Sequence, residues 1–257
     1  MELITSLQND RVKLAHSLQQ RARARRKERK IVLEGTRLIL DAIKQGHRPQ
    51  FVFVDLERIS EAVVSKLSAR NIPVLQVTPE IIVHTSDTKQ PQGIVAVFPL
   101  PVPALPATAS RVLILDNVRD PGNMGTLLRT AAAAGVVMVI LSPGCADPYN
   151  PKTLRSGMGA HFRVPIVEAD WAEIRNYCRT LSVFLASGAG GVEYDAVNWL
   201  EDWALIIGSE AHGLSKEVES LDALHIRIPM AAQTESINAG IAAGIILFEA
   251  DRQRRRQ

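Results

Sequence analysis

The sequence predicts an α/β protein in two parts: a smaller amino-terminal α/β domain and a larger carboxy-terminal domain built on a mainly parallel sheet. Three observations predict it. Short apolar runs alternate with segments of helical periodicity along the whole chain, an order that calls for sheets covered by helices. Residues 98–110, FPLPVPALPATAS, carry four prolines between Pro99 and Pro106, which favours an extended, semi-rigid connector and marks a domain boundary. An apolar fraction of 46% in 257 residues supplies one large core or two ordinary ones. The division is therefore a first domain at 1–98, a linker at 99–106 and a second domain at 107–257.

In chain order, a basic helix is expected from about Asn9 to Lys30. Strands follow at 31–33, 51–54, 74–77 and 94–98, with helical patterns near 36–46 and 58–69 between them. Beyond the connector, strands are expected at 112–115, 136–141, 183–186, 204–207 and 225–228 with helical segments between them, the pattern of a mainly parallel sheet covered on both faces.

The net charge of +3 is unevenly spread. Residues 1–30 hold nine Lys/Arg against three Asp/Glu, residues 252–257 hold four Arg, and positions 31–251 are net acidic with 17 basic and 24 acidic residues. The densest run is Arg21, Arg23, Arg25, Arg26, Lys27, Arg29 and Lys30, with Glu28 its one acidic member. Like charges this close repel unless counterions or phosphates neutralise them, so the run points to a polyanion, against the plainer reading of a solvated helix face. A lipid surface fits less well, because the run has almost no large apolar residue to insert. The amino terminus lacks the pattern of a secretion signal and no apolar run approaches the ~20 residues of a membrane span, so a cytoplasmic protein without membrane contact is expected. Cys145 and Cys178 stand alone, without partners at ligand spacing, and read as two reduced thiols with no metal site.

Three segments carry candidate chemistry. RVLILDNV followed by DPGNMGTLLRTAAAAGV reads as a buried strand, a loop containing Gly122 and Gly125, and an alanine-rich helix ending at Gly135. It matches neither GxGxxG nor the Walker pattern, and strand-loop-helix turns are general to α/β domains. Arg129, in a helix otherwise of Leu, Thr and Ala, is harder to assign to packing. ALIIGSEAHGLSKEV is a strand ending in Gly208, then Glu210, a turn at Gly213 and a helix from Ser215, which could cap it. HIRIPMAAQTESINAGIAAGIILFEA passes from a strand through Pro229 into a small-residue helix near Ser236. Gly and Ala at 239, 240 and 242–244 imply close packing, either by another helix of the chain or by another subunit, since glycine costs about 1 kcal/mol in a helix interior.

In this order the three segments resemble the SpoU (TrmH) family of RNA 2′-O-ribose methyltransferases in the SPOUT superfamily. Further similarity lies in DPYNPKTLRSGMGAHF at 147–162 and in VLEGTRLI and QGIVAVF, so the resemblance covers almost the whole chain. It implies a carboxy-terminal SPOUT domain with a deep trefoil knot, dimerisation through the knot region, and a ribosomal-protein-like domain in front that binds RNA. The knot runs against the general rule that chains avoid them. It further implies S-adenosylmethionine as methyl donor, held near Ala186, Gly188, Gly208, Ser209, Gly213, Ile228, Met230, Ser236 and Ile237. The catalytic set it implies is Arg129, Asn123, Glu210, Ser236 and Asn238.

Arginine as a residue type holds its proton to above about pH 12, so Arg129 is better suited to gathering a phosphate and stabilising a developing oxyanion than to acting as a base. Three positions depart from the family's habit: Ala232 for a usual glycine, Ala132 for a frequent acid, and Gly157 for a common serine. With aromatics at 5%, recognition by RNA shape and phosphate contact is expected over base stacking. Ribosomal RNA, of the large subunit, is favoured as substrate over transfer RNA. The rival readings are a non-catalytic RNA-binding or ribosome-assembly protein, which leaves Asn123, Arg129, Glu210 and Ser236 without a role, and a dinucleotide-dependent oxidoreductase, which lacks its glycine fingerprint.

Overall fold

The computed structural model describes residues 3–102, 104–188, 191–209, 213–231 and 236–256. The chain separates into two units: Met1–Val102 with Tyr149–Phe162, and Pro103–Pro148 with Arg163–Gln257.

The first unit runs β1 (Leu3–Ile4), α1 (Asp10–Gln20), α2 (Ala22–Glu28), β2 (Lys30–Glu34), α3 (Thr36–Lys44), β3 (Phe51–Val54), α4 (Glu61–Ser68), β4 (Val74–Val77), α5 (Pro79–Thr85) and β5 (Ile94–Pro99). Its sheet has the order β1-β4-β3-β5-β2, with β1 and β3 parallel to β4 and with β5 antiparallel to β2 and β3. Successive strand residues face opposite sides, so the buried runs feed two cores. Ile31, Leu33, Val52, Val54, Ala96 and Phe98 pack with Leu38, Ile39 and Leu67 from α3 and α4. Val32, Phe51, Phe53, Val95 and Val97 pack with Val12, Ala15, Leu18, Ile81 and Ile82 from α1 and α5.

The second unit begins with β6 (Arg111–Leu115), α6 (Pro121–Ala133) and β7 (Met138–Leu141). The chain then re-enters the first unit as α7 (Pro151–Gly157) and a 3-10 turn, Ala160–Phe162, placing Leu154 and Phe162 in its first core, with the Phe162 ring 4.4 Å from His47 and 6.1 Å from Phe98. It returns as β8 (Ile166–Glu168), α8 (Trp171–Cys178), β9 (Ser182–Ala186), β10 (Val192–Glu193), β11 (Trp203–Ile207), β12 (Leu224–Arg227) and α9 (Ala239–Arg254). The sheet order is β10-β12-β9-β11-β6-β7-β8, and every pairing is parallel. One face of it packs with Ile174 and Cys178 of α8, and β11 and all of β6 after Arg111 are buried, which accounts for their unbroken apolar runs.

All nine strands expected from the sequence form within a residue or two of their expected bounds. Three further strands, β1, β8 and β10, have two or three residues each, too few to display a period. The basic segment is two helices rather than one. Arg21 takes an extended conformation (φ −127, ψ 117) between them, so α2 starts in a new direction. Arg21, Arg23, Arg26, Lys27 and Arg29 are exposed and Lys30 is half-buried. Arg25 departs from its expected phosphate-facing place: it is 4% exposed, and its guanidinium donates to the carbonyls of Leu18 (2.6 Å) and Gln19 (3.3 Å), serving the open carbonyl end of α1. The cysteines are both free, Cys178 buried and Cys145 half-buried. No helix among the described residues is long and apolar enough to cross a membrane.

Candidate active site

β6 carries the chain to Asp116, and α6 begins five residues later. Asp120 caps α6 by accepting the N–H of Asn123 at 2.8 Å, and Pro121, which has no N–H to leave unpaired, occupies the first turn. Gly122 and Gly125, expected in a loop, therefore lie inside the helix.

After β11 the chain folds tightly back on itself. Ser209 and Gly213 exchange backbone hydrogen bonds at 3.0 and 2.8 Å, with Gly213 at φ +66. A Cβ on Gly208 would lie 2.6 Å from the Gly213 carbonyl and 2.9 Å from the Leu214 nitrogen, so only glycine permits that approach. Ser215 does not cap a helix through its side chain, and the expected helix is a 3-10 turn, Lys216–Ser220. The Ser215 N–H instead donates to Oδ2 of Asp116 at 2.6 Å, while its Oγ is buried with no hydrogen-bond partner among the described residues. Asp116, 1% exposed, also accepts from Ser142 Oγ at 3.2 Å. The nearby Cys145 thiol donates to the Leu115 carbonyl at 3.2 Å; burial first, and also the Asp116 charge, push its pKa up.

After β12 the chain reaches α9, which starts at Ala239 rather than at Ser236 because Asn238 is its cap. Asn238 Oδ1 accepts from the N–H groups of Gly240 (2.9 Å) and Ile241 (3.2 Å), and its Nδ2 donates to Asn123 Oδ1 at 3.2 Å. One amide thus closes the start of α9 and ties it to the start of α6. The small residues of α9 answer to α6: Cβ atoms on Gly240 and Gly244 would come within 3.0 and 3.7 Å of the Thr126 and Thr130 methyl groups.

The ends of β9, β11 and β12 and the start of α9 surround one cavity of about 480 Å³. Ala186 and Gly188 line it from the end of β9, Gly208, Ser209 and Gly213 from the turn after β11. Ile228, Met230, Ser236 and Ile237 line it from the segment before α9. All nine residues expected to hold the methyl donor therefore border the same space. The sequence reading missed Ser187, Leu214, Ser215 and Glu219 on its wall, and Asp116 behind it. The signal for Asp116 is its place as the acid that closes the apolar run RVLIL; Ser215 reads locally as a cap.

Of the expected catalytic set, Asn123 and Asn238 are joined, Ser236 is on the cavity wall two residues from Asn238, and Arg129 is exposed on α6 beside Thr130. Glu210 and Ala232 lie outside the described residues. The three segments nevertheless converge: the first meets the second through Asp116 and Ser215 and the third through Asn123 and Asn238, while the second and third share the cavity.

Comparison with known proteins agrees with this arrangement. Residues 110–248 match the model of the SpoU rRNA Methylase family, and residues 9–96 match an MRM3-like substrate binding domain. The 23S rRNA (guanosine(2553)-2′-O)-methyltransferase RlmP of Bacillus subtilis is 33% identical over 96% of this chain and 98% of its own length. The mitochondrial rRNA methyltransferase 3A of Danio rerio is 38% identical over 91% of the chain, which spans about two thirds of that relative's length (66%). Among solved structures, an AdoMet-bound rRNA methyltransferase from Sinorhizobium meliloti superposes with a TM-score of 0.84 at 33% identity, covering 98% of each chain. With its motifs, sheet topology and these matches in agreement over nearly all its length, the chain belongs to the SpoU rRNA methylase family.

Proposed function

We propose that this SpoU-family methylase transfers the methyl group of S-adenosylmethionine to a ribose 2′-hydroxyl of large-subunit ribosomal RNA. The observation that carries the proposal is the convergence of the three motif segments on a single cavity, with the Asn123–Asn238 pair joining α6 to the segment that lines it. The names of the relatives and the donor bound in the Sinorhizobium structure support both substrates.

The cavity suits the donor. Its volume lies within the roughly 300–1,000 Å³ of small-molecule sites. Gly188, Gly208 and Gly213 let backbone groups come close, Ile207, Ile226 and Ile246 give apolar walls, and Ser215 Oγ is a buried polar atom with no hydrogen-bond partner among the described residues. When bound, the donor supplies a methyl group on a cationic sulfur. The chain's part is to place a ribose oxygen in line with that methyl, so that the C–O bond forms as the C–S bond breaks and a neutral thioether departs, and to stabilise the oxygen as its proton passes to water. Arg129 performs the second task by clamping the phosphate beside the target ribose and spreading positive charge toward the developing oxyanion. Asn123 and Asn238 keep the two helix starts in register so that Arg129 and Ser236 hold their places, with Glu210 completing the set.

Arg21, Arg23, Arg26, Lys27, Arg29 and Lys30 meet RNA phosphates. A second copy of the chain covers α9, where Ile241 and Phe248 are 57% and 46% exposed and Ile245, half-buried, falls between them on the same stripe. The trefoil knot that the resemblance implies falls in part on residues 210–212 and 232–235, which lie outside the described residues.

Calorimetric titration with S-adenosylmethionine tests the donor, and mapping of 2′-O-methylation on large-subunit ribosomal RNA incubated with and without the protein tests the acceptor. Binding and one new methylated ribose are expected; protein that leaves the donor unbound refutes the proposal.

A further inference from the structure

Away from the methylase cavity, the first unit has a second concavity. At one end of its five-stranded sheet, Pro49 sits just ahead of β3, Pro73 just ahead of β4, and Pro99 closes β5. With Arg29, Lys30, Arg48 and Gln50 these prolines line an open cleft of about 420 Å³. Proline has no N–H, so Pro73 and Pro99, both exposed, present ring faces in place of backbone donors, while Pro49 is buried. The charged residues of the lining are three cations, and no carboxylate is among them.

Two details indicate what the cations are for. Arg29 terminates α2 in the left-handed region (φ 49, ψ 47), a place that glycine or asparagine fills with less strain, yet it carries a long, exposed cationic side chain into the cleft lining. Arg48 donates from Nη2 to the carbonyl of Asn71, itself at φ 54, which fixes the head of an otherwise exposed side chain. An arginine held by one donor still offers the rest of its fork to an oxyanion. Arg48 is separated in sequence from the basic run and joins Arg29 and Lys30 only through the sheet, because Lys30 pairs with Pro99 across β2 and β5 and Gln50 bonds to Val97.

We propose that this cleft seats the sugar-phosphate backbone of the RNA substrate, with phosphates against Arg29, Lys30 and Arg48 and a sugar or base face against the proline rings. The inference rests on the RNA-directed function above and adds a docking point for it. An acidic protein segment would satisfy the charge too, since guanidinium forks pair with carboxylate and phosphate oxygens alike; the same excess of positive charge over the first 30 residues favours an extended polyanion.

The test uses the full-length chain, its Arg48→Ala, Arg29→Gly and double variants, and a fluorescently labelled, unmodified transcript of large-subunit ribosomal RNA, with anisotropy read over a range of KCl concentrations. Each single variant is expected to bind roughly tenfold more weakly. The slope of log K against log[KCl] should fall by about 0.7–0.9 for each phosphate that is no longer neutralised. Arg29→Gly should melt at or above the wild-type temperature, because glycine accepts the left-handed backbone, so its loss of affinity cannot be ascribed to unfolding. A double variant with native melting, unchanged affinity and unchanged salt slope overturns the cleft. So does displacement from the cleft variants alone of a bound polyglutamate peptide while transcript binding is intact, which assigns the site to protein. A wild-type chain that binds the transcript in this Arg48-dependent way but transfers no methyl group refutes the enzymatic reading and leaves the cleft standing; a wild-type chain that does not bind the transcript refutes both.

Discussion

The carboxylate of Asp116 accepts the backbone N–H of Ser215 at 2.6 Å, a link across 99 residues between the end of β6 and the turn that forms one wall of the cavity. Asp116 is buried and also receives Ser142 Oγ, so its removal orphans the Ser215 N–H and leaves Ser142 Oγ with only the Pro143 carbonyl to donate to, at 3.3 Å. Asp116→Ala is expected to lower stability by about 1–3 kcal/mol, the usual cost of an unsatisfied buried group. It should also weaken S-adenosylmethionine binding by tenfold or more, because the turn loses its anchor; Asp116→Asn, which keeps one acceptor oxygen, should recover part of both. Thermal melting and calorimetric titration of the two variants measure this, and undiminished donor affinity in Asp116→Ala would remove Asp116 from any role at the cavity.

Gly208→Ala examines the same wall from within. The new methyl would press on the carbonyl of Gly213 and the nitrogen of Leu214, both backbone atoms that cannot rotate aside. A stability loss of roughly 1–3 kcal/mol is expected from overpacking, with a loss of donor affinity that exceeds any effect on RNA binding. Parallel titrations with donor and with RNA give the comparison.

Arg129 separates two catalytic schemes. Lysine keeps the positive charge but not the planar fork, so Arg129→Lys should lose most of its kcat if Arg129 clamps a phosphate, and should retain substantial activity if a titratable nitrogen is all that is needed. Single-turnover methyl transfer at saturating donor is the measurement, with donor affinity near that of the wild type as the sign that the cavity is intact.

The thiols yield a pH prediction. Burial pushes the Cys178 pKa up to about 11 from its ordinary 9.0. The folded chain thus keeps a proton that the unfolded chain gives up, so this contribution to stability is complete below pH 9 and declines as pH rises from 9 to 11. Cys145 shifts in the same direction. Both should therefore react slowly with thiol reagents at pH 8 until the chain is unfolded. Rapid labelling of Cys178 in the native protein would contradict its place in the buried cluster that α8 shares with the sheet.

What could be read from sequence was local. Apolar runs such as 51–54 and 204–207 became strands at those positions because burial on both faces demands an unbroken apolar pattern. Nine residues of the cavity wall were legible through their motifs, whereas Ser187, Leu214, Ser215 and Glu219 were not. What sequence did not display depends on how elements meet once folded. Arg25 differs from its neighbours only because the carbonyl end of α1 lies beside it. Asp116 gains its role from Ser215, and the start of α9 from Asn238 finding both its own first turn and Asn123. Ser236 was the plausible start on local grounds, since serine and asparagine cap equally well and nothing local chooses between positions 236 and 238.

The excursion of residues 149–162 into the first unit means that the protein cannot be divided into independent cassettes by one cut. A fragment ending near Val102 would lack Leu154 and Phe162, leaving a hole beside Phe98 and His47, and is expected to melt well below the intact chain. The matching carboxy-terminal fragment would carry those two side chains with no core to receive them. Any transplant of the first unit has to move two stretches of polypeptide together, residues 1–102 and 149–162, so a boundary drawn at the proline-rich connector alone severs a core.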